Sequence, residues 1–246
     1  MFESSRYISN SLNVLFARQV SIRRAANDFE DKLKGNYLQP QIIGIPDELD
    51  PEVPRMLFSS THGFSQIIVS QTNISLNVKY SPDWQKDISL GQKYLFERAP
   101  ILFELLSLVK TEPLYFGLST HVNLPSSLDD EKILVRIADS FLKEKSAPST
   151  HDIQLKTTNV IDDKFFSNIT LENYRIWKLQ QPMALSLKLS RKAATEKGVS
   201  ILGDFNDRYI FNEDKDYKST QAMIEPIIEL GLKEVQAVVG KVSGKP

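Results

Sequence analysis

Three histidines, one Gly-Asp-Phe-Asn-Asp cluster and two short basic runs are the residues here whose types could do chemistry. His62, His121 and His151 stand far apart in the chain, in a turn, a strand end and a linker as the pattern reads. Metal binding or acid–base work needs at least two such groups to converge, with a carboxylate orienting one of them. No HExxH, Walker, GxGxxG or GxSxG spacing sets up that convergence locally. Three unrelated histidines are the favoured reading. His62 and His121 are kept as ligand-binding candidates, because both fall near strand edges that would meet if the chain's two halves are related.

The second cluster is Gly203-Asp204-Phe205-Asn206-Asp207. It superficially looks like a calcium loop, but it lacks the EF-hand spacing and the distal bidentate glutamate. Asp204 and Asn206 are therefore expected to be structural, tying a strand end to the loop before Ser219; they are also retained as ligand-binding candidates. Arg23-Arg24 with Lys32 and Lys34, and Arg191-Lys192 with Lys188, could contact phosphates. Solvated faces are the commoner use of such residues. Trp84 and Trp177 read as core or interface anchors. No catalytic residue, metal or cofactor is expected.

The whole composition narrows the classes. The chain has 246 residues and no cysteine, which removes disulfides, zinc–thiolate sites, iron–sulfur clusters and cysteine nucleophiles together. Thirty basic residues balance 31 acidic ones, so no bulk field points to nucleic acid or anionic lipid. No apolar run approaches a membrane span, and Met1-Phe2-Glu3-Ser4-Ser5-Arg6 does not read as a secretory signal. The expectation is a cytoplasmic protein.

The elements that must position these residues fall into two similar sets, about 11–110 and 113–242, within a single domain 1–246. Ser11 to Arg18 reads as a strand, Ala25 to Leu33 as a short helix, and Pro46 to Pro54 as an acidic proline loop. Arg55–Ser60, Gln66–Ser70 and Ile74–Tyr80 read as a meander, the last strand alternating Ile74, Leu76 and Val78 with Ser75, Asn77 and Lys79. A helix over Tyr94–Val109 is interrupted at Pro100. The second set opens with the strand Leu114–Val122 and the amphipathic helix Asp129–Leu142, followed by a polar linker, Lys143–Thr150. Strands follow from Ile153, over Phe165–Trp177 and at Leu185, Leu187 and Leu189. Lys197-Gly198 reads as a turn, Val199–Phe205 as a strand and Asn206–Lys218 as a loop. Ser219 or Thr220 should cap a closing helix around Pro226, with an aliphatic row of Ile224, Ile228, Val235, Val238 and Val242.

Three stretches carry a family resemblance. Pro54-Arg55-Met56-Leu57-Phe58-Ser59-Ser60 with Gly63 and Ser75-Leu76-Asn77 is the first. The others are Tyr115-Phe116-Gly117-Leu118 through Val122-Asn123, and Leu202-Gly203-Asp204-Phe205-Asn206. In this order they resemble a sporadically distributed family of uncharacterised bacterial and archaeal proteins of about this size. That resemblance implies a cytoplasmic protein with no assigned activity and no catalytic residues to carry over. The start departs from the family's pattern, with Ser11-Leu12-Asn13 where a proline-led strand is expected.

The reading is thus α+β: an antiparallel sheet with helices on one side, in two strand–helix–strands–helix halves. The function expected is a non-catalytic binding or assembly module, an accessory subunit of a mobile or defence-related bacterial system, that self-associates or takes a protein partner. The alternative is a small-molecule sensor with a pocket between sheet and helices. An enzyme using His62 or His121 ranks third.

Overall fold

The computed structural model describes residues 1–142, 149–178 and 189–244. Among them, nine strands form one antiparallel sheet: β1 (Arg6–Phe16), β2 (Gln41–Ile42), β3 (Met56–Ser59), β4 (Ser65–Val69), β5 (Asn73–Lys79), β6 (Pro113–Pro125), β7 (Gln154–Ile161), β8 (Phe165–Ile176) and β9 (Glu196–Asn206). Their order is β2-β3-β4-β5-β1-β6-β9-β8-β7. The helices are α1 (Ala26–Leu33), α2 (Ile88–Arg98), α3 (Pro100–Leu108), α4 (Asp130–Phe141), α5 (Arg208–Glu213) and α6 (Ile224–Ser243). The chain is α+β, and its meander is β3-β4-β5 in successive antiparallel pairs.

Outward from the central β1–β6 pair, the order is β1-β5-β4-β3 with the two-residue β2 outermost on one side, and β6-β9-β8-β7 on the other. Each arm uses its first strand at the centre, its last beside it, and its middle strands outside.

Alternation decides the faces. Leu12, Val14, Ile74, Leu76, Phe116, Leu118, Ile201 and Phe205 are fully buried on one face. There α3 packs on β1 and β5, and α6 on β6 and β9. Burying each such side chain contributes roughly 1.5–3 kcal/mol. A Cβ on Gly231 would sit 2.8 Å from Leu118 Cδ2, so glycine lets α6 lie this close to the sheet. Helix α5 is the exception: Phe211 meets Tyr115, and Tyr209 meets Phe166, both on the opposite face.

Several expected boundaries shift for physical reasons. Strand β1 starts at Arg6 because Ser9, Ser11 and Asn13 are the polar half of its alternation. Lys197-Gly198 is strand, not turn: glycine is required there because a Cβ would fall 2.2 Å from the Leu124 carbonyl oxygen of β6. The expected 206–218 loop holds α5. Both prolines stand at helix starts, Pro100 at the first position of α3 and Pro226 in the first turn of α6, where no backbone donor is lost. Neither Ser219 nor Thr220 caps α6, which follows a short 3-10 turn at Gln221–Met223. Of its aliphatic row, Ile224, Ile228, Val235 and Val242 are buried and Val238 is half-buried, so the row faces the interior. The strand expected at Leu185 and Leu187, Lys188 of the second basic run, and most of the 143–150 linker lie outside the described residues. Leu189 is described and lies outside any strand.

Candidate functional site

The face without α1–α4 and α6 carries a trough of about 900 Å³. Its floor is built by register. Ser59 pairs with Gln66, and Gln66 with Asn77. Asn77 pairs with Ser11, and Ser11 with Ser119. Ser119 pairs with Asp204, Asp204 with Asn168, and Asn168 with Thr158. Each strand from β3 to β7 across the sheet thus gives one short polar side chain to a single transverse row. At about 4.8 Å per strand the row spans about 34 Å.

The row is already partly knitted. Gln66 Nε2 donates to Ser59 Oγ at 3.3 Å, Asn168 Nδ2 to Asp204 Oδ2 at 3.1 Å, and Thr158 Oγ1 to Asn168 Oδ1 at 2.8 Å. A second link runs below it, where Asn73 Nδ2 donates to Asn13 Oδ1 at 3.3 Å. Such a floor offers donors and acceptors together, held on strands whose backs are packed. Charge is sparse: Lys79, Lys156, Asp204 and the titratable His121 stand around neutral serines and amides. A phosphate chain finds no arginine here, and an aliphatic ligand finds only Leu202 and Phe64 beside Ile8 and Val78.

Of the expected site residues, Asp204 and His121 line this trough. They do not form a dyad. His121 faces Leu202, whereas Asp204 faces Ser119, so the two are diagonal neighbours. The His121 ring turns the other way, with Nε2 3.0 Å from Asn123 Oδ1 and 3.1 Å from Ser200 Oγ. His62 sits in the β3–β4 turn over Phe64, with ring centroids 6.2 Å apart. Three to four strand spacings, roughly 14–19 Å, separate it from His121. The two histidines therefore do not meet at the central pair. His151 pairs with Asp152 at 2.7 Å on the surface.

Asn206 braces the end of β9: its Nδ2 donates to Asp204 Oδ2 at 3.2 Å, and its Oδ1 accepts from the Arg208 N–H at 3.3 Å. The tie to the following loop is made by Asp207, which the sequence reading passed over. Fully buried, Asp207 accepts from the Phe116 N–H at 2.7 Å, Tyr217 Oη at 2.7 Å and Ser219 Oγ at 2.5 Å. Burial pushes its carboxyl above the ordinary value, while these donors pull it back. This clamp fixes the loop carrying α5. Among the described residues, no cluster of three or more histidines and acids could hold a metal ion.

Of the described residues in the basic runs, Arg24, Lys32, Lys34 and Lys192 are exposed, whereas Arg23 and Arg191 are partly buried and paired. Arg23 Nη1 donates to Asp47 at 2.7 Å, so it grips the proline loop instead of solvent. Arg191 lies 3.6 Å from Asp130 in an ion pair. Trp84 joins Phe64, Tyr80 and Tyr94 in an aromatic cluster at one rim, and Trp177 Nε1 donates to the Ser190 carbonyl at 2.8 Å.

Between sheet and helices, the gap beside Trp84 and Ile88 holds only about 10 Å³, so the pocket expected there is absent at that place. No helix among the described residues is long and apolar enough to cross a membrane. No protein-family model matches the chain, and no curated protein does.

Proposed function

We propose that this chain is a non-catalytic binding module, and that an elongated, uncharged ligand rich in amide or hydroxyl groups lies across its open sheet face. The observation that carries this reading is the polar row Ser59, Gln66, Asn77, Ser11, Ser119, Asp204, Asn168 and Thr158, which runs along the trough in strict register. Short side chains on packed strands lose little entropy when they bind, so a preformed row suits recognition. The one hydroxyl that His121 reaches among the described residues, Ser200 Oγ, is buried, and the neutral floor disfavours a phosphate backbone.

The halves are read as repeats of one unit. Strand order supports this, and so does the row: about Ser11 and Ser119, Asn77 mirrors Asp204, Gln66 mirrors Asn168, and Ser59 mirrors Thr158. The setting, a cytoplasmic protein of a mobile or defence-related bacterial system, belongs to the same proposal and rests on the family resemblance alone.

The test is amide chemical-shift mapping with three probes: a neutral Asn/Ser-rich peptide, a neutral oligosaccharide and inorganic polyphosphate. Shifts at Ser11, Asn77 and Ser119 with a neutral probe, abolished by Ser119→Trp in a folded variant, are expected. No shift with any probe, or shifts with polyphosphate alone, would overturn the reading.

A further inference from the structure

The outer edge of β7 is bare among the described residues, and its chemistry fits a second copy of the same strand. Ile153 turns its carbonyl to the Asn173 N–H of β8, so by alternation the odd positions of β7 bond inward. The outward N–H and C=O groups then belong to Gln154, Lys156, Thr158 and Val160. We propose that two copies pair antiparallel through these groups, with Thr158 on the two-fold axis.

Three observations select this arrangement. A two-fold perpendicular to the sheet keeps each face on its own side, so only residues of equal parity face each other. Centring on Thr158 sets Leu155 opposite Ile161 of the other copy; both are half-buried in one copy and gain an apolar neighbour on the helix side. Val160, 41% exposed, comes to lie against the Lys156 stem. Centring one residue earlier would instead face Leu155 with Asn159. Second, Thr158 ends the polar row of the trough, so pairing Thr158 with Thr158 carries that row without a break from one copy into the next. Third, the opposite sheet edge is capped. The Leu38 N–H donates to the Ser59 carbonyl, the Ile43 N–H to the Arg55 carbonyl, and β2 pairs with β3. Head-to-tail growth of β7 onto β3 is blocked, and a closed dimer remains. The inference stands whether or not the trough takes a ligand.

The absence of native cysteine makes the test specific. Strand partners that bond to each other sit about 5.5 Å apart at Cα, within disulfide range. Thr158→Cys should cross-link under mild oxidation into a species twice 28.0 kDa, and Thr157→Cys should not. Light scattering of the unmodified chain from about 1 to 300 µM should show the same doubling, since strand pairing alone is a small interface. Thr158→Pro removes an outward N–H, and Thr158→Glu sets two carboxylates on the axis without touching the backbone. Each should weaken the dimer at least about tenfold at neutral pH. A monomer throughout, cross-linking at 157 instead of 158, or a dimer unmoved by Thr158→Glu would overturn the proposal.

Discussion

The two ends of the sheet are finished in opposite ways. At the first-half end, the segment from Tyr37 to Ile43 lies along β3, and the proline loop that follows it is gripped by three arginines. Arg23 binds Asp47 and the Ile43 and Ile45 carbonyls, and Arg18 donates to the Asp47 carbonyl and Gln71. Arg55, wholly buried, donates to the Val53, Leu49 and Asp50 carbonyls and lies 3.6 Å from Asp47. At the second-half end, β7 carries exposed Lys156, Thr157, Thr158 and Asn159. Arg175 ties β8 to Asp130 at 2.7 Å and holds the segment before β7 through Asp152 Oδ1 at 2.7 Å and the His151 carbonyl at 2.8 Å. The outer edge of β7 itself has no partner among the described residues. Edge strands left open invite pairing. One arm spends buried charge to cover its edge, and the other arm spends it behind the sheet. The two arms of the sheet are thus finished differently, one edge covered and the other open among the described residues.

Removing Arg55 should break that comparison most severely. Arg55→Ala leaves the Val53, Leu49 and Asp50 carbonyls without this buried donor, and Asp47 with Arg23 alone. A loss of about 3–5 kcal/mol is expected in denaturant unfolding. The cap on β3 should loosen with it, and light scattering should then show species larger than a dimer. A loss under about 1 kcal/mol with unchanged size would mean that the loop holds itself.

The next effect belongs to Asp207. Asp207→Ala strands the buried Phe116 N–H together with the Tyr217 and Ser219 hydroxyls, at a cost of about 2–4 kcal/mol. Its pH dependence opposes that of Asp152. Burial raises the Asp207 carboxyl, so the native state holds that proton more tightly than the unfolded chain does. Its contribution is fullest below the unfolded value, about 3.9, and is lost as pH rises through the raised native value. Hydrogen bonds from Asn173 and then Arg175 hold the Asp152 carboxyl well below the ordinary range. Its contribution is full above about 3.9 and is lost as pH falls from there. Melting across pH should therefore flatten on the rising side in Asp207→Asn and on the acid side in Asp152→Asn. The reverse assignment would mean that the burial of Asp207 does not govern its titration.

The elements were legible where one face is apolar. The alternation of Ile74, Leu76 and Val78 and the stripe of Ile133 and Ile137 located β5 and α4 almost to the residue. The trough was not legible, because it exists only through register across eight strands. Ser11 and Ser119 are unremarkable apart and become the centre of a row only when β1 meets β6. A usable signal was present: the polar half of β1 and β5 is Ser, Asn and one Lys, where an ordinary solvated face would carry more charge. Gly198 misled because a strand glycine and a turn glycine look alike until the neighbouring backbone is known. Asp204 and His121, singled out by their types, line the trough and His62 does not, while the role of Asp207 was not legible because burial decides it.

The smallest effect tests the mirror between the halves. Asp204 holds the position that Asn77 holds on the other side of the Ser11–Ser119 pair. Its carboxylate is exposed and accepts from Asn168 and Asn206 across an open face. An exposed acceptor bound by two neutral amides is replaceable by another amide, because water fills whatever geometry is lost. Asp204→Asn should therefore change stability by no more than about 0.5 kcal/mol. Calcium or magnesium should leave the melting temperature of both forms in place, because an ion held by the native state would raise it by mass action. A rise of several degrees with a divalent ion, lost in Asp204→Asn, would make Asp204 a metal ligand and end its equivalence with Asn77.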